Sequence, residues 1–587
     1  MDEKLSRRQF MGTAAAGAAA AGAAVMVGGP LLSTPGRLAQ RKPSDTPAAS
    51  PAQIAPVPTT WDKAADVIVC GCGAAGLPAA VAAAEAGASV MVVESNSVLG
   101  GCATISGGIL GIGGGNALQI KAGIYETADT LYSDMTRHVV NYTNVETKAL
   151  GAPAVYSSPG TKTVPALARV FADRSLDTWN WLVAHGAKFS AATTSYANGT
   201  AVFWGTRAPS TTVADVVDPT GVGATHPQST AGGAGWCNPM IAALKKMSNV
   251  DIELNTKMTQ IIREAPLTGR VLGITAQAGG KTMYFRANRA VIVATGGYKG
   301  SPWLRFLFDP RVPATMTYSG TPFCYDDGTG LLAALNAGAA MMSDRNLDIH
   351  EWHRQWGTLY HVFSLGSAYA TPGLSPSTAD YIFVNSLGNR FMDESTPETS
   401  GWFFGDPPYS FYDYALDQHM TGPYGTPGVW TIMDSAAMTR ENLNPSTWLG
   451  PPAQVDPNLV FSGATLGALE TAINVPAGSL TATITKYNSY VAASPPADPD
   501  FGRPASLLTH QINTPPYYAV WCNLVLHDTA GCCTVNENGQ VIDWNGNTIQ
   551  SLYAAGEAAG GLDLIGMAKG VVMGRVCGEN AAVAQSW

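Results

Sequence analysis

Gly71-Cys72-Gly73-Ala74-Ala75-Gly76 spaces three glycines as a chain must to wrap a pyrophosphate. The first permits a tight turn, the second lets backbone approach the phosphates, and the third lets a helix pack closely on the preceding strand. Such a site also needs a carboxylate for the adenosine ribose hydroxyls, at the end of the next strand, and Glu94 stands there. A glycine triplet alone is weak evidence, because structural turns use glycine too. Its weight here comes from register. Residues 65–70, A-D-V-I-V-C, read as a buried parallel strand; an alanine-rich helix follows; and Ser89 to Val93 form a second apolar strand that ends at Glu94. The helix N-terminus adds unpaired N–H donors for the phosphates. The sequence therefore predicts a dinucleotide, with Ala74 and Ala75 lying in the same loop.

Other reactive side chains point to less. His350, Glu351 and His353 are close neighbours, but no third ligand accompanies them and no metal is expected. Glu351, Arg354 and Glu398 also read as a salt-bridged surface. The nine cysteines contain no C-x-x-C pair, so neither a disulfide framework nor a zinc site is expected. Cys532-Cys533 read as small buried thiols. Without C-x-x-C-H, any haem donor must be a separate protein.

The stretch Val98 to Gly108, V-L-G-G-C-A-T-I-S-G-G, resembles the flavin-contacting segment of the FAD-dependent oxidoreductase 2 family, which includes fumarate reductase and succinate dehydrogenase flavoproteins and 3-ketosteroid dehydrogenases. Further matches follow in the family's order. Residues 290–297, A-V-I-V-A-T-G-G, match a strand and turn that contact the nucleotide; residues 325–330 supply an Asp-Gly turn before a helix; and residues 551–561 close the flavin site. The resemblance implies FAD as cofactor. It implies contacts from Gly101, Cys102, Ser106, Gly107, Gly108, Thr295, Gly296 and Asp327, and places Glu557 at the ribityl chain.

The same resemblance implies catalytic residues. His527, in H-D-T-A-G at 527–531, matches the segment that brings a histidine to a substrate oxygen. Tyr518 offers a phenol acid with a pKa of about 10, and core packing explains it equally well. By register His353 matches a second substrate-binding histidine. The arginine that donates a proton in fumarate reductases would follow the Gly388-Asn389-Arg390-Phe391-Met392-Asp393-Glu394 stretch, and its place falls on Glu398. Met567 occupies the place of the arginine that clamps a substrate carboxylate, with Lys569 able to replace one contact. Neither glutamate nor methionine reproduces a guanidinium fork, so a C4-dicarboxylate is disfavoured. The reaction expected is hydride exchange between FAD N5 and a C=C or CH–CH bond conjugated to a carbonyl, as in an enone, aryl acrylate or ketosteroid-like substrate. Electrons would pass to a separate cytochrome or quinone-linked carrier. The alternatives are a fumarate-type dicarboxylate reductase and a non-catalytic FAD electron-carrier subunit.

Several elements must position these groups. At 587 residues the chain exceeds one ordinary domain. The resemblance implies an α/β fold, with a discontinuous Rossmann-like FAD-binding domain at 61–345 and 515–587. An α+β capping domain at 346–514 would be inserted between them, rich in aromatic and Pro/Gly turns and carrying a helix that ends at Tyr490. A formal charge of −9 with scattered Lys and Arg offers no cationic face, so no nucleic acid partner is expected and a small molecule is. Arg7-Arg8 before the Ala/Gly-rich run at 12–29 reads as a twin-arginine signal over 1–40, followed by a proline-rich linker at 41–60. That predicts the twin-arginine translocase as a partner and export, to the periplasm or beyond, of a protein folded around its cofactor.

Overall fold

The computed structural model describes residues 55–106, 108, 110–121, 125–133, 135–136, 164–189, 233–308, 310–314, 316, 318, 325–342, 347–351, 378–394, 417–418, 420–421, 428–441, 443, 460–529, 531–562 and 567–587. The expected signal and most of the linker lie outside them. Among the described residues no helix is long and apolar enough to cross a membrane.

Two sheets organise the chain. The first contains β1 (Lys63–Cys70), β2 (Val90–Val93), β3 (Val250–Glu253), β4 (Thr256–Ala265), β5 (Thr268–Ala278) and β6 (Lys281–Val293). The second contains β7 (Leu347–Glu351), β8 (Ile382–Val384), β9 (Gly428–Asp434), β10 (Val460–Gly463) and β11 (Tyr517–Thr529). The chain then returns to the first sheet with β12 (Gln540–Ile542) and β13 (Thr548–Ala554). The helices used below are α1 (Gly76–Glu85), α2 (Gly101–Ile105), α3 (Thr329–Asn336), α4 (Ser479–Ala492) and α5 (Met567–Ala582).

The first sheet runs β12-β13-β6-β1-β2-β3, and the strands from β13 to β3 are parallel. β1 is buried on both faces from Val67 to Cys70, which explains its unbroken apolar run. From β1 the chain proceeds to β2 and β3 on one side, and only later to β6 and β13 on the other. The carboxyl ends of β1 and β6 therefore flank a topological switch point, where open α/β sheets bind ligands.

Two parallel helices cover that point. α1 is buried from Gly76 to Ala84 and stops where Gly87 takes φ +87°, with Gly87 N bonded to Ala84 O and Ala88 N to Ala83 O. α5 lies along it through glycines spaced one helical turn apart. A Cβ on Gly574 would sit 2.2 Å from Ala75 O, and one on Gly578 would sit 2.3 Å from Ala79 O. Contacts that advance in the same direction on both helices put the two N-termini side by side.

The second sheet runs β10-β11-β9-β8 in antiparallel order. β11 pairs with β9 from Tyr517 to Asn523 and with β7 from Leu524 to Thr529. The position expected to return the chain to the cofactor part, 515, thus comes just before a strand hydrogen-bonded into the second sheet. A separate apolar core surrounds this sheet, with Trp430 and Trp521 edge-to-face at 5.0 Å. Leu480, Ile484 and Tyr487 of α4 enter it from one helix face, and the helix runs on past Tyr490 to Ala492.

Candidate active site

The glycine loop leaves β1 as its spacing predicts. Gly71 takes φ +89°, and a Cβ there would lie 2.4 Å from Ala294 O. A Cβ on Gly76 would lie 1.8 Å from Gly71 O, so the helix begins against the turn itself. Gly73 differs, since a Cβ there would meet nothing within 4 Å. One glycine thus faces open space between two others held by backbone. Ala75 immediately precedes α1, and a Cβ on Gly570 of α5 would lie 3.2 Å from Ala74. Both helix N-termini therefore meet at this loop, a place suited to an anion.

Glu94 follows β2 and is buried. Its Oε2 accepts from Cys72 N at 2.8 Å, and its Oε1 from Asn96 N at 2.8 Å and Ser95 Oγ at 3.3 Å. Burial raises its pKa, opposed chiefly by the Asn96 and Cys72 N–H donors. A carboxylate has about four lone-pair sites, so acceptor capacity remains for ribose hydroxyls.

The 100–108 segment lies beside the loop. Gly100 N bonds to Cys72 O at 2.9 Å, and Gly101 takes φ +48° with its Cβ direction 3.5 Å from Gly73 Cα. Ser106 Oγ accepts from Gly108 N at 3.2 Å and lies 3.1 Å from Met567 Sδ, which ties α2 to the start of α5. Gly107 lies outside the described residues. Cys102 is disulfide-bonded, contrary to the expectation drawn from cysteine spacing. Sequence spacing detects local pairs only, whereas the fold brings distant parts of the chain to Cys102, whose Sγ lies 3.7 Å from Asp326 Oδ2. The other seven described cysteines are free and buried. Burial pushes the Cys533 thiol up to about 12 and Cys532 well above its ordinary range, which suits packing rather than redox work.

The turn after β6 carries Thr295 beside Gly71 and Gly296 at φ +80°, with its Cβ direction 2.0 Å from Asp326 Oδ1. Asp327, the expected contact, turns elsewhere. It accepts from Thr329 N at 3.0 Å and Thr329 Oγ1 at 2.6 Å at the start of α3, and it pairs with Lys257 of β4. Burial works against its ionised form, but Lys257 and Thr329 prevail and its pKa falls. The preceding residue, Asp326, points inward instead.

Asp326 belongs to a buried charge cluster not anticipated from sequence. Lys299 Nζ lies 2.9 Å from Asp326 Oδ2 and 3.2 Å from Glu557 Oε1. Glu557 Oε2 also accepts from Thr529 N at 3.0 Å. Tyr298 N donates to Thr529 Oγ1 at 3.1 Å, and the buried Lys569 reaches Thr529 O at 3.5 Å. The last residue of β11 thus joins the second sheet to the turn after β6, to Glu557 and to α5. Tyr318 bridges to Leu526 nearby, and burial together with the Asp326 carboxylate raises its phenol pKa against Arg305 and Lys299.

The expected catalytic residues separate. His527 stands just before Asp528 and Thr529, where the β11–β7 register shifts between Leu526 and Asp528. Tyr518 is not brought to this place. It pairs with Met433 and Ser462 at the other end of β11, nine residues from His527 and about 30 Å away at the rise of an extended strand. Its phenol packs against the second core. His353 and Glu398 lie outside the described residues. The Gly388–Glu394 stretch forms a buried ionic brace. Arg390 holds Glu394 through bonds of 2.8 and 2.6 Å and Asp498 at 2.9 Å, while Arg503 reaches Glu394 at 3.2 Å.

A family model described as FAD binding domain matches residues 66–570. A fumarate reductase (cytochrome) of Shewanella frigidimarina is 24% identical over 526 residues, covering 88% of this chain and 77% of that protein. A urocanate reductase of Eggerthella lenta is 24% identical over 531 residues, covering 88% and 74%. In fold, a 3-ketosteroid-Δ4-(5α)-dehydrogenase of Rhodococcus jostii RHA1 is similar at TM-score 0.62 and 23% identity, over 89% of this chain and 98% of that one.

Proposed function

The chain belongs to the FAD binding domain family, and on that premise we propose that it exchanges electrons between FAD and a C=C bond conjugated to a carbonyl in a substrate with at most one carboxylate. It is an FAD-dependent oxidoreductase of the CH–CH class. The residues present fit the cofactor: Gly73 opens onto the space between two helix N-termini, Glu94 can take the ribose, and Glu557 and Asp326 border the inner end. When bound, FAD supplies the two-electron exchange.

The chain's own residues bind, orient and move protons. His527, at the β11–β7 register shift, is assigned to donate to the substrate carbonyl oxygen and so polarise the conjugated bond. Glu398 is assigned to proton transfer and His353 to substrate orientation. The part built on β7 to β10 and the first half of β11 caps the substrate, and the part built on the parallel sheet holds the cofactor. Electrons come from or go to a separate cytochrome or quinone-linked carrier, and the Arg7-Arg8 leader exports the folded protein to the periplasm or beyond.

The observation carrying this reading is the open Gly73 cradle at the joined N-termini of α1 and α5, with Met567 and Lys569 at the start of α5 where a carboxylate-clamping arginine is absent. The test is anaerobic oxidation of reduced viologen by the FAD-loaded protein, with fumarate compared against neutral enones and aryl acrylates. Turnover confined to the enones or acrylates is expected. Brisk fumarate reduction would sink the substrate assignment.

A further inference from the structure

Lys569 is 4% exposed, yet among the described residues its only hydrogen bond is the 3.5 Å contact to Thr529 O. An ammonium carries three donors, and burying one without an anion is expensive. The other buried lysine of the site, Lys299, spans Asp326 and Glu557, so those carboxylates already have their cation. No carboxylate oxygen among the described residues comes within 4.0 Å of Lys569 Nζ.

Its place is equally informative. Lys569 stands in the first turn of the 16-residue α5. Met567, which opens the same turn, touches Ser106 Oγ, and Gly570, the next residue after Lys569, packs on Ala74 of the glycine loop. The ammonium ends at Thr529, which also bonds to Glu557. The helix N-terminus and the ammonium therefore add positive potential at one interior point, beside Ser106, the glycine loop and Thr529.

We propose that Lys569 is an anion-binding residue whose partner is a delocalised oxyanion brought by a bound ligand. This rests on the FAD reading above. Two ligands carry that chemistry: the pyrimidine end of a reduced flavin, and the carboxylate of an acrylate-type substrate. In either case one ammonium serves one anionic group, which separates this site from a two-pronged dicarboxylate clamp.

The experiment compares the FAD-loaded wild type with Lys569→Met, Lys569→Gln and Lys569→Arg, checking cofactor content by absorbance and folding by thermal melting. One arm measures the midpoint potential by equilibrium dye titration. The other measures KM for cinnamate and for its methyl ester. If the flavin supplies the anion, Lys569→Met disfavours the reduced cofactor at least tenfold, a fall of about 30 mV for a two-electron couple, and Lys569→Arg restores most of it. If the substrate supplies it, KM for cinnamate rises at least tenfold while the ester and the potential stay put. Lys569→Gln, which keeps a polar head, replaces the methionine variant if that fails to fold. A folded, FAD-loaded methionine or glutamine variant with both readings within twofold of wild type overturns the proposal. A wild type that binds no FAD instead overturns the reading beneath it.

Discussion

At Glu94 one carboxylate serves two purposes. Its place at the end of the second strand is the one proposed for the ribose; in the structure it ties the glycine loop, through Cys72 N, to its own turn, through Asn96 N. A glutamine would present an NH2 to one of these N–H donors and leave that donor unsatisfied. Losing one charge-assisted bond costs about 1.5–3 kcal/mol, so Glu94→Gln should weaken FAD binding about ten- to a hundredfold. Titration of the apoprotein with FAD, followed by flavin fluorescence, reads this directly; unchanged affinity would remove Glu94 from the site. The glycines and Glu94 were legible because their roles depend on local turn geometry and a fixed strand-helix-strand length. Lys299 was not, because its partners Asp326 and Glu557 lie far along the chain and no local pattern marks them. At Asp326-Asp327 the turn motif located the pair but could not say which side chain faces inward. Backbone direction decides that: Asp326 takes φ +39°, and Asp327 turns to α3. For Tyr518 a resemblance of segments did not fix where along a thirteen-residue strand the site lies.

At the scale of elements, the pairing of α1 with α5 sets the geometry of the cofactor end. The alanine run of α1 announced a helix packed on the preceding strand, whereas the 570-574-578 glycine stripe in α5 went unread because its partner helix comes from the opposite end of the chain. Each glycine costs helix stability of about 0.5–1 kcal/mol relative to alanine, and the close approach it permits brings the two N-termini together. Gly574→Ala should therefore reverse the usual gain from replacing a helical glycine. Its methyl would meet Ala75 O at 2.2 Å, and overpacking of this kind costs about 1–3 kcal/mol. Gly467, in the helix Leu466–Ala472, has nothing within 4 Å of its Cβ direction. Gly467→Ala should be neutral or stabilising by up to about 1 kcal/mol. Urea midpoints of the two variants test the contrast, and Gly574→Ala should also release FAD more readily. Equal midpoints would mean that α5 can slide without cost.

For the whole molecule the question is how two cores built on different sheets act as one enzyme. β11 belongs to the second sheet along its length and ends at Thr529, whose N–H and carbonyl meet Glu557 and Lys569 of the first. Whatever stiffens the second core therefore helps hold Thr529 against Glu557 and Lys569. The strongest candidate is the buried brace of Arg390, Glu394, Asp498 and Arg503, which ties the turn after β8 to the segment after α4. Its two cations and two anions balance, so removing one carboxylate charge leaves a guanidinium uncompensated in the interior. That kind of loss costs about 3–5 kcal/mol. Glu394→Gln should lower overall stability by such an amount, and the loss should be uneven. Phe383 N donates to Glu394 Oε1, so β8 loses an anchor directly, and β9 and the first half of β11 follow through their ladder. β1 and β2 touch none of these groups and should keep their protection. Hydrogen exchange by mass spectrometry separates the cases: faster exchange in 382–384, 428–434 and 517–523 with 63–70 unchanged supports two cores coupled through one strand. Equal acceleration in 63–70 would show that the two cores open as a single unit, and the brace would then matter to the cofactor end as much as to the cap.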